Sequence, residues 1–159
     1  MSKKIHKYLL KNTYPVSREL RDILTKNGPV FIKAQASGDL VLNLARIASG
    51  QQLSTKAAER IWGRVEDIIK VRATSLTKLF VRKNACMLRA SGLSRNKIKA
   101  IIEMIERFKA GELSSEDLSK KDYESLTAVI TSLWGFGVWS SDMVAISFFG
   151  HQDVWPDKD

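Results

Sequence analysis

Leu126-Thr127-Ala128-Val129-Ile130-Thr131-Ser132-Leu133-Trp134-Gly135-Phe136-Gly137-Val138-Trp139-Ser140-Ser141 decides how the chain is read. An apolar helical stripe (Leu126, Val129, Ile130, Leu133) runs into Gly135-Phe136-Gly137, and a second apolar helix follows from about Trp139 to Phe149, ending at Gly150. Glycines two apart at a helix junction allow a tight hairpin. They also leave backbone N–H groups uncovered at the start of the second helix, where the helix dipole suits a phosphate. A β-branched residue at Gly137 is expected to fail twice, by disfavouring positive φ and by blocking the approach of a phosphate. A lone Gly-x-Gly would read first as a plain packing corner.

Working outward, helical periodicity dominates and strand signals are weak. Leu20, Ile23 and Leu24 share one face of a short helix that stops near Gly28-Pro29. Leu40, Leu42, Leu44, Ala45 and Ile47 mark a more fully buried helix. Ser54 is placed to cap a third, with a stripe of Ala57, Ile61, Val65, Ile68 and Ile69. Ser94 caps a helix carrying Ile98, Ile101, Ile102, Ile105 and Phe108, closed by Gly111, and Asp122 caps the first hairpin helix. Val30-Phe31-Ile32 is the best strand candidate and is too short to found a sheet. The expectation is an all-α, multi-helix bundle of about eight short helices containing a helix-hairpin-helix motif, with residues 1–159 as a single domain.

Composition sets the remaining bounds. With 159 residues, 44% hydrophobic and 27% charged, the chain is long enough for a real core and too apolar for disorder. Its 26 Lys and Arg against 17 Asp and Glu give a formal net charge of +9, which favours a polyanionic partner, most often nucleic acid. The single cysteine, Cys86, excludes an internal disulfide, an iron–sulfur cluster and a zinc-finger site, and its apolar neighbours suggest a buried packing residue. No metal and no cofactor are expected. No secretory leader and no membrane-length apolar run are seen, so a soluble, intracellular monomer that does not engage membranes is expected.

Segments in a fixed order then carry a resemblance. Leu133 to Ser141 resembles the hairpin of the helix-hairpin-helix DNA glycosylases, and Trp139-Ser140-Ser141 is similar to the Trp-Thr-Ala of their 3-methyladenine branch. Asp153-Val154-Trp155-Pro156-Asp157-Lys158-Asp159 looks like the family's aspartate loop. Ile47 to Ala58 is similar to the segment that places the DNA-wedging residue, and Gly92-Leu93-Ser94-Arg95-Asn96-Lys97 resembles a turn that faces the DNA backbone. The resemblance covers roughly residues 16 to 159.

The resemblance implies excision of damaged bases from double-stranded DNA after base flipping. Asp159 takes the catalytic position, as a carboxylate stabilising the cation that develops on the sugar. Trp139 stands where bifunctional relatives carry a lysine nucleophile, so only hydrolytic chemistry is expected there. Trp139 and Trp155 are base-pocket candidates; core packing is the equal alternative for Trp139. Gln52 or Leu53 would fill the gap left by the flipped base, although each also reads as a plain loop residue. Ser94, Lys97, Gly135, Gly137 and Ser140 complete the DNA-binding candidates. Lys97, beside a helix start, is preferred as a phosphate contact over Arg82 and Lys83, which more often are solvated. Trp62 and Trp134 read as core or hairpin packing.

Neither histidine, His6 nor His151, falls on a matched position. The missing general acid favours cationic alkylated purines, which leave without protonation. In the family, further helices follow the aspartate loop, so the chain reads either as truncated at its C-terminus or as a naturally short variant. Two function classes stay open: a monofunctional glycosylase for alkylated bases, and a non-catalytic or inactive DNA-binding module that kept the hairpin.

Overall fold

The structure is a computed structural model that describes residues 3–30, 34 and 38–156. The chain is all-α: the described residues hold ten α-helices, one 3₁₀ turn and one π turn, and no strand. The count exceeds the expected eight because several elements are too short to show a periodic stripe. Phe31 and Ile32, the best strand candidates, lie outside the described residues. The chain groups into two compact units, residues 1–33 and 34–159.

In the first unit, α1 (Lys3–Thr13) and α2 (Arg18–Asn27) pack against each other. Ser17 caps α2 by accepting the Leu20 N–H at 3.1 Å, and Gly28 ends it with φ +66°. The face of Leu20 and Ile23 forms as expected, yet both side chains are exposed.

The second unit holds the core. Its elements are α3 (Leu40–Gly50), α4 (Thr55–Val71), α5 (Leu76–Leu79), α6 (Ala85–Ala90), α7 (Arg95–Lys109), α8 (Ser115–Ser119), α9 (Tyr123–Thr131) and α10 (Val138–Val144). Helix α7 runs through the centre, burying Ile98, Ala100, Ile101, Ile102, Met104 and Ile105. Helix α3 packs against α4, α7 and α10 and contributes the fully buried Leu44, Ala45 and Ala48. Truncating a side chain buried like Leu44 to alanine costs about 2–5 kcal/mol. Ser54, Ser94 and Asp122 cap α4, α7 and α9 as expected, each accepting the N–H three residues on. Helix α10 passes into a π turn over Ala145–Phe149, closed by left-handed Gly150 and by the His151 N–H donating to the Ala145 carbonyl at 2.9 Å.

One packing expectation is corrected. Cys86 is exposed, because α6 turns Leu88 inward and leaves the cysteine on its outer face. Trp62 is buried, 3% exposed, but Trp134 is 43% exposed and lies outside the core. Among the described residues, no helix is long and apolar enough to cross a membrane.

Candidate functional site

The hairpin between α9 and α10 turns on Gly135. Its φ is +81°, and a Cβ built there would lie 2.9 Å from the Ala100 Cβ of α7. Glycine is therefore required both by backbone conformation and by the close approach of a neighbouring helix. Phe136 plugs inward at 5% exposure, and its N–H donates to the Leu133 carbonyl at 3.1 Å. Trp134 turns outward, with the Lys99 ammonium 4.0 Å from its ring centroid.

Gly137 corrects an expectation. It is the N-cap of α10, with φ −106° and ψ −174°, an extended conformation open to any residue. Positive φ is not what a side chain would violate there. No atom stands within 4 Å of a Cβ at this position, and no side chain caps the helix. The first N–H groups of α10 are thus bare and approachable, which is the arrangement that suits an anion.

Three segments distant in sequence meet at this turn. The Gln51 amide, just past α3, donates to the Gly135 carbonyl at 2.9 Å and to the Ser140 Oγ at 2.8 Å. The Lys97 ammonium, from the first turn of α7, donates to the carbonyls of Ser49 at 2.9 Å and Gln51 at 2.8 Å. The Ser94 Oγ accepts the Lys97 N–H at 3.2 Å and caps α7. Burial lowers the Lys97 pKa from the usual lysine value. Beneath the turn, Ser141 Oγ donates to Thr127 Oγ1 at 3.0 Å, and the Tyr123 hydroxyl donates to Asp142 Oδ1 at 2.6 Å. Both contacts tie α10 to α9, and both Ser141 and Asp142 are buried.

The result is one open cleft of about 510 Å³. Gln52, Ser94, Lys97, Gly135, Gly137, Trp139 and Ser140 all line it. Trp139 is half-buried in its wall, whereas Ser140 is buried with its hydroxyl engaged by Gln51. Gln52 carries φ +55°, rare for a residue with a side chain, and is exposed. Leu53 beside it is 39% exposed but does not line the cleft. Trp155 is 83% exposed and does not line it either. Asp159, with Asp157 and Lys158, lies outside the described residues. Among the described residues, no cluster of metal-ligating side chains occurs.

Sequence reasoning missed Gln51 and Asn96, which also line the cleft, and Asp142 beneath it. Gln51 and Asn96 lie within the segments that the resemblance marks, but nothing there singles out their side chains, and nothing marks Asp142. Arg82, Arg95 and Lys99 border a second, smaller groove of about 330 Å³ that Ile98 and Ile102 also line.

No family model matches the chain. Over 117 residues it is 27% identical to DNA-3-methyladenine glycosylase 1 of Schizosaccharomyces pombe, an alignment covering 73% of this chain and 51% of that protein. The chain therefore spans about half the length of that curated relative. The S. pombe 3-methyladenine DNA glycosylase solved in complex with abasic DNA superposes with a TM-score of 0.82 at 22% identity, covering 100% of this chain and 75% of that one. The DNA-3-methyladenine glycosidase of Bacillus halodurans gives a TM-score of 0.68 at 26% identity, over 94% and 66% of the two chains. The 3-methyladenine DNA-glycosylase of Archaeoglobus fulgidus gives 0.61 at 22%, over 87% and 48%. In sequence and in fold the chain is a homologue of the DNA-3-methyladenine glycosylases, consistent with the helix-hairpin-helix glycosylase superfamily.

Proposed function

We propose that this chain is the DNA-engaging part of a monofunctional base-excision glycosylase that hydrolyses the N-glycosidic bond of alkylated bases, of the 3-methyladenine type, in duplex DNA. One observation carries the reading. Candidates drawn from three separate stretches of sequence converge on a single cleft at the hairpin.

In this reading the bare N–H groups of α10 beyond Gly137 hold a backbone phosphate, and Gly135 fixes the turn. Gln52, held in a left-handed conformation, or its neighbour Leu53 fills the gap left by the flipped nucleotide. Trp139 offers an aromatic face to a base carrying positive charge. Asp159 supplies the negative charge opposite the sugar cation; its assignment rests on the motif resemblance. An alkylated, cationic purine needs no acid to leave, which fits a site whose matched positions offer none. A protein with this work acts where the DNA is, inside the cell, and acts as a monomer.

The test is single-turnover release of 3-methyladenine from alkylated duplex DNA, by this chain and by its Asp159→Asn and Asp157→Asn variants. Asp159→Asn is expected to bind DNA and to lose on the order of a hundredfold or more in rate, as loss of preorganised electrostatic stabilisation does. Asp157→Asn is expected to keep most of its rate. Full rate in both variants would overturn the mechanism. DNA binding without release by any form would reduce the chain to a non-catalytic hairpin module.

A further inference from the structure

We infer that Lys97 is a positioning residue, not a phosphate contact: with Gln51 it locks the Gln52-Leu53 wedge loop between α3, α7 and the hairpin. The inference rests on the DNA-binding reading above and deepens it.

The argument begins with the α3 terminus. The last carbonyls of a helix have no partner within the helix and carry the negative end of its dipole. One such carbonyl, of Ser49 in the last turn of α3, and the carbonyl of the C-cap residue Gln51 receive the Lys97 ammonium at 2.9 and 2.8 Å. An ammonium has three donors, and two are spent on the protein itself. Lys97 is partly buried and directed along the cleft wall toward the chain, whereas its neighbour Lys99 is exposed.

Gln51 is held a second time. Its carbonyl takes Lys97, while its side-chain amide donates to the Gly135 carbonyl and the Ser140 Oγ. One residue thereby joins the end of α3, the start of α7 and both sides of the hairpin turn. The next residue, Gln52, stands at φ +55°. The Leu53 N–H donates to the Gly50 carbonyl at 3.2 Å, closing a tight turn with Gln52 at its left-handed third position, and the Lys97–Gln51 contacts anchor the residue before it. Lys97 therefore governs where the wedge points, which matters only when a nucleotide has left the stack.

This role and a phosphate contact predict opposite signatures. The 159-residue chain, its Lys97→Met variant and its Lys97→Arg variant are titrated with a duplex carrying a tetrahydrofuran abasic site and with the intact duplex, across a salt series. Lys97→Met is expected to lose about tenfold in its preference for the abasic duplex, the scale of one charge-assisted hydrogen bond, with an unchanged salt slope. Lys97→Arg is expected to recover most of that preference. An equal loss on both duplexes, with a slope shallower by about 0.9, would overturn the inference.

A second measurement needs neither DNA nor a folded variant. Reductive methylation of the wild-type chain, followed by peptide mapping, should modify Lys97 far more slowly than Lys99. Equal reactivity would overturn the clamp even if the chain bound DNA. Binding to neither duplex, with Lys97 still protected, would retain the clamp and overturn the DNA-binding reading instead.

Discussion

Gly135 and Gly137 look alike in the sequence and answer to different constraints in the fold. Gly135→Ala would force a Cβ to 2.9 Å from Ala100 at φ +81°. A stability loss of about 1–3 kcal/mol is expected, from left-handed strain and overpacking, measured by urea unfolding. Gly137→Ala is expected to unfold like the wild type, because its φ is −106° and the space around it is open. Gly137→Val should fold and still bind duplex DNA more weakly, since its side chain would stand over the bare N–H groups of α10. Affinity at fixed salt, with a circular-dichroism control, separates the two effects; undiminished affinity in folded Gly137→Val would sink the phosphate cradle. The glycine pair was legible from sequence, but the division of labour was not, because Ala100, 35 positions away, decides which glycine is pinned. Trp139 carries the remaining prediction at this scale. An indole forms no Schiff base, so borohydride is expected to trap no covalent protein–DNA adduct, and efficient trapping read on a denaturing gel would show that an amine nucleophile acts elsewhere.

Helix starts were the most legible elements, because a cap and a periodic stripe reinforce each other. Ser54, Ser94 and Asp122 each precede a clear apolar stripe, and each accepts the expected N–H. Ser114 does the same for α8, but that helix has five residues, too few for a period of 3.6 to register. Helices α5 and α6 escaped for the same reason, and with α6 went the outward direction of Cys86. Asp122 yields a pH prediction. Hydrogen bonding from Ser125, through its side chain and then its backbone N–H, holds the Asp122 carboxyl below its ordinary value of 3.8. The folded pKa is depressed, so the stabilisation is present above pH 3.8 and is lost as the pH falls through the lower folded value. Asp122→Ala is expected to melt at a lower temperature than wild type near neutrality, with the gap closing through that acid window. Asp122→Asn keeps an acceptor at every pH, so its contribution should not titrate. Thermal melts across the acid range check both, and a gap that persists undiminished at the acid end would mean that the charge contributes nothing to α9.

At the scale of the whole chain, the cleft is made by contacts that no local pattern encodes. Gln51 reaches Ser140 across 89 positions and Lys97 reaches Ser49 across 48. Motif order announced which segments belong to the site, but only folding shows that Gln51 occupies the junction and that the Lys97 ammonium is already engaged. That engagement redistributes the work of the charge. The formal net charge is +9, and three further cations border the second groove: Arg82, Arg95 and Lys99. Arg82 and Arg95 are exposed, whereas Lys99 already faces Glu103 at 3.8 Å. Each phosphate neutralised contributes a slope of roughly −0.9 to log affinity against log salt. Binding to a duplex long enough to cross both grooves should therefore fall linearly on that plot, and the double variant Arg82→Ala/Arg95→Ala should make the slope shallower by about two such units, since each arginine removed forfeits about one contact. Because neither arginine lines the hairpin cleft, preference for an abasic over an intact duplex should survive in the double variant. An unchanged slope would place the DNA path away from the second groove, and a lost preference would make these arginines part of lesion recognition instead of backbone anchoring.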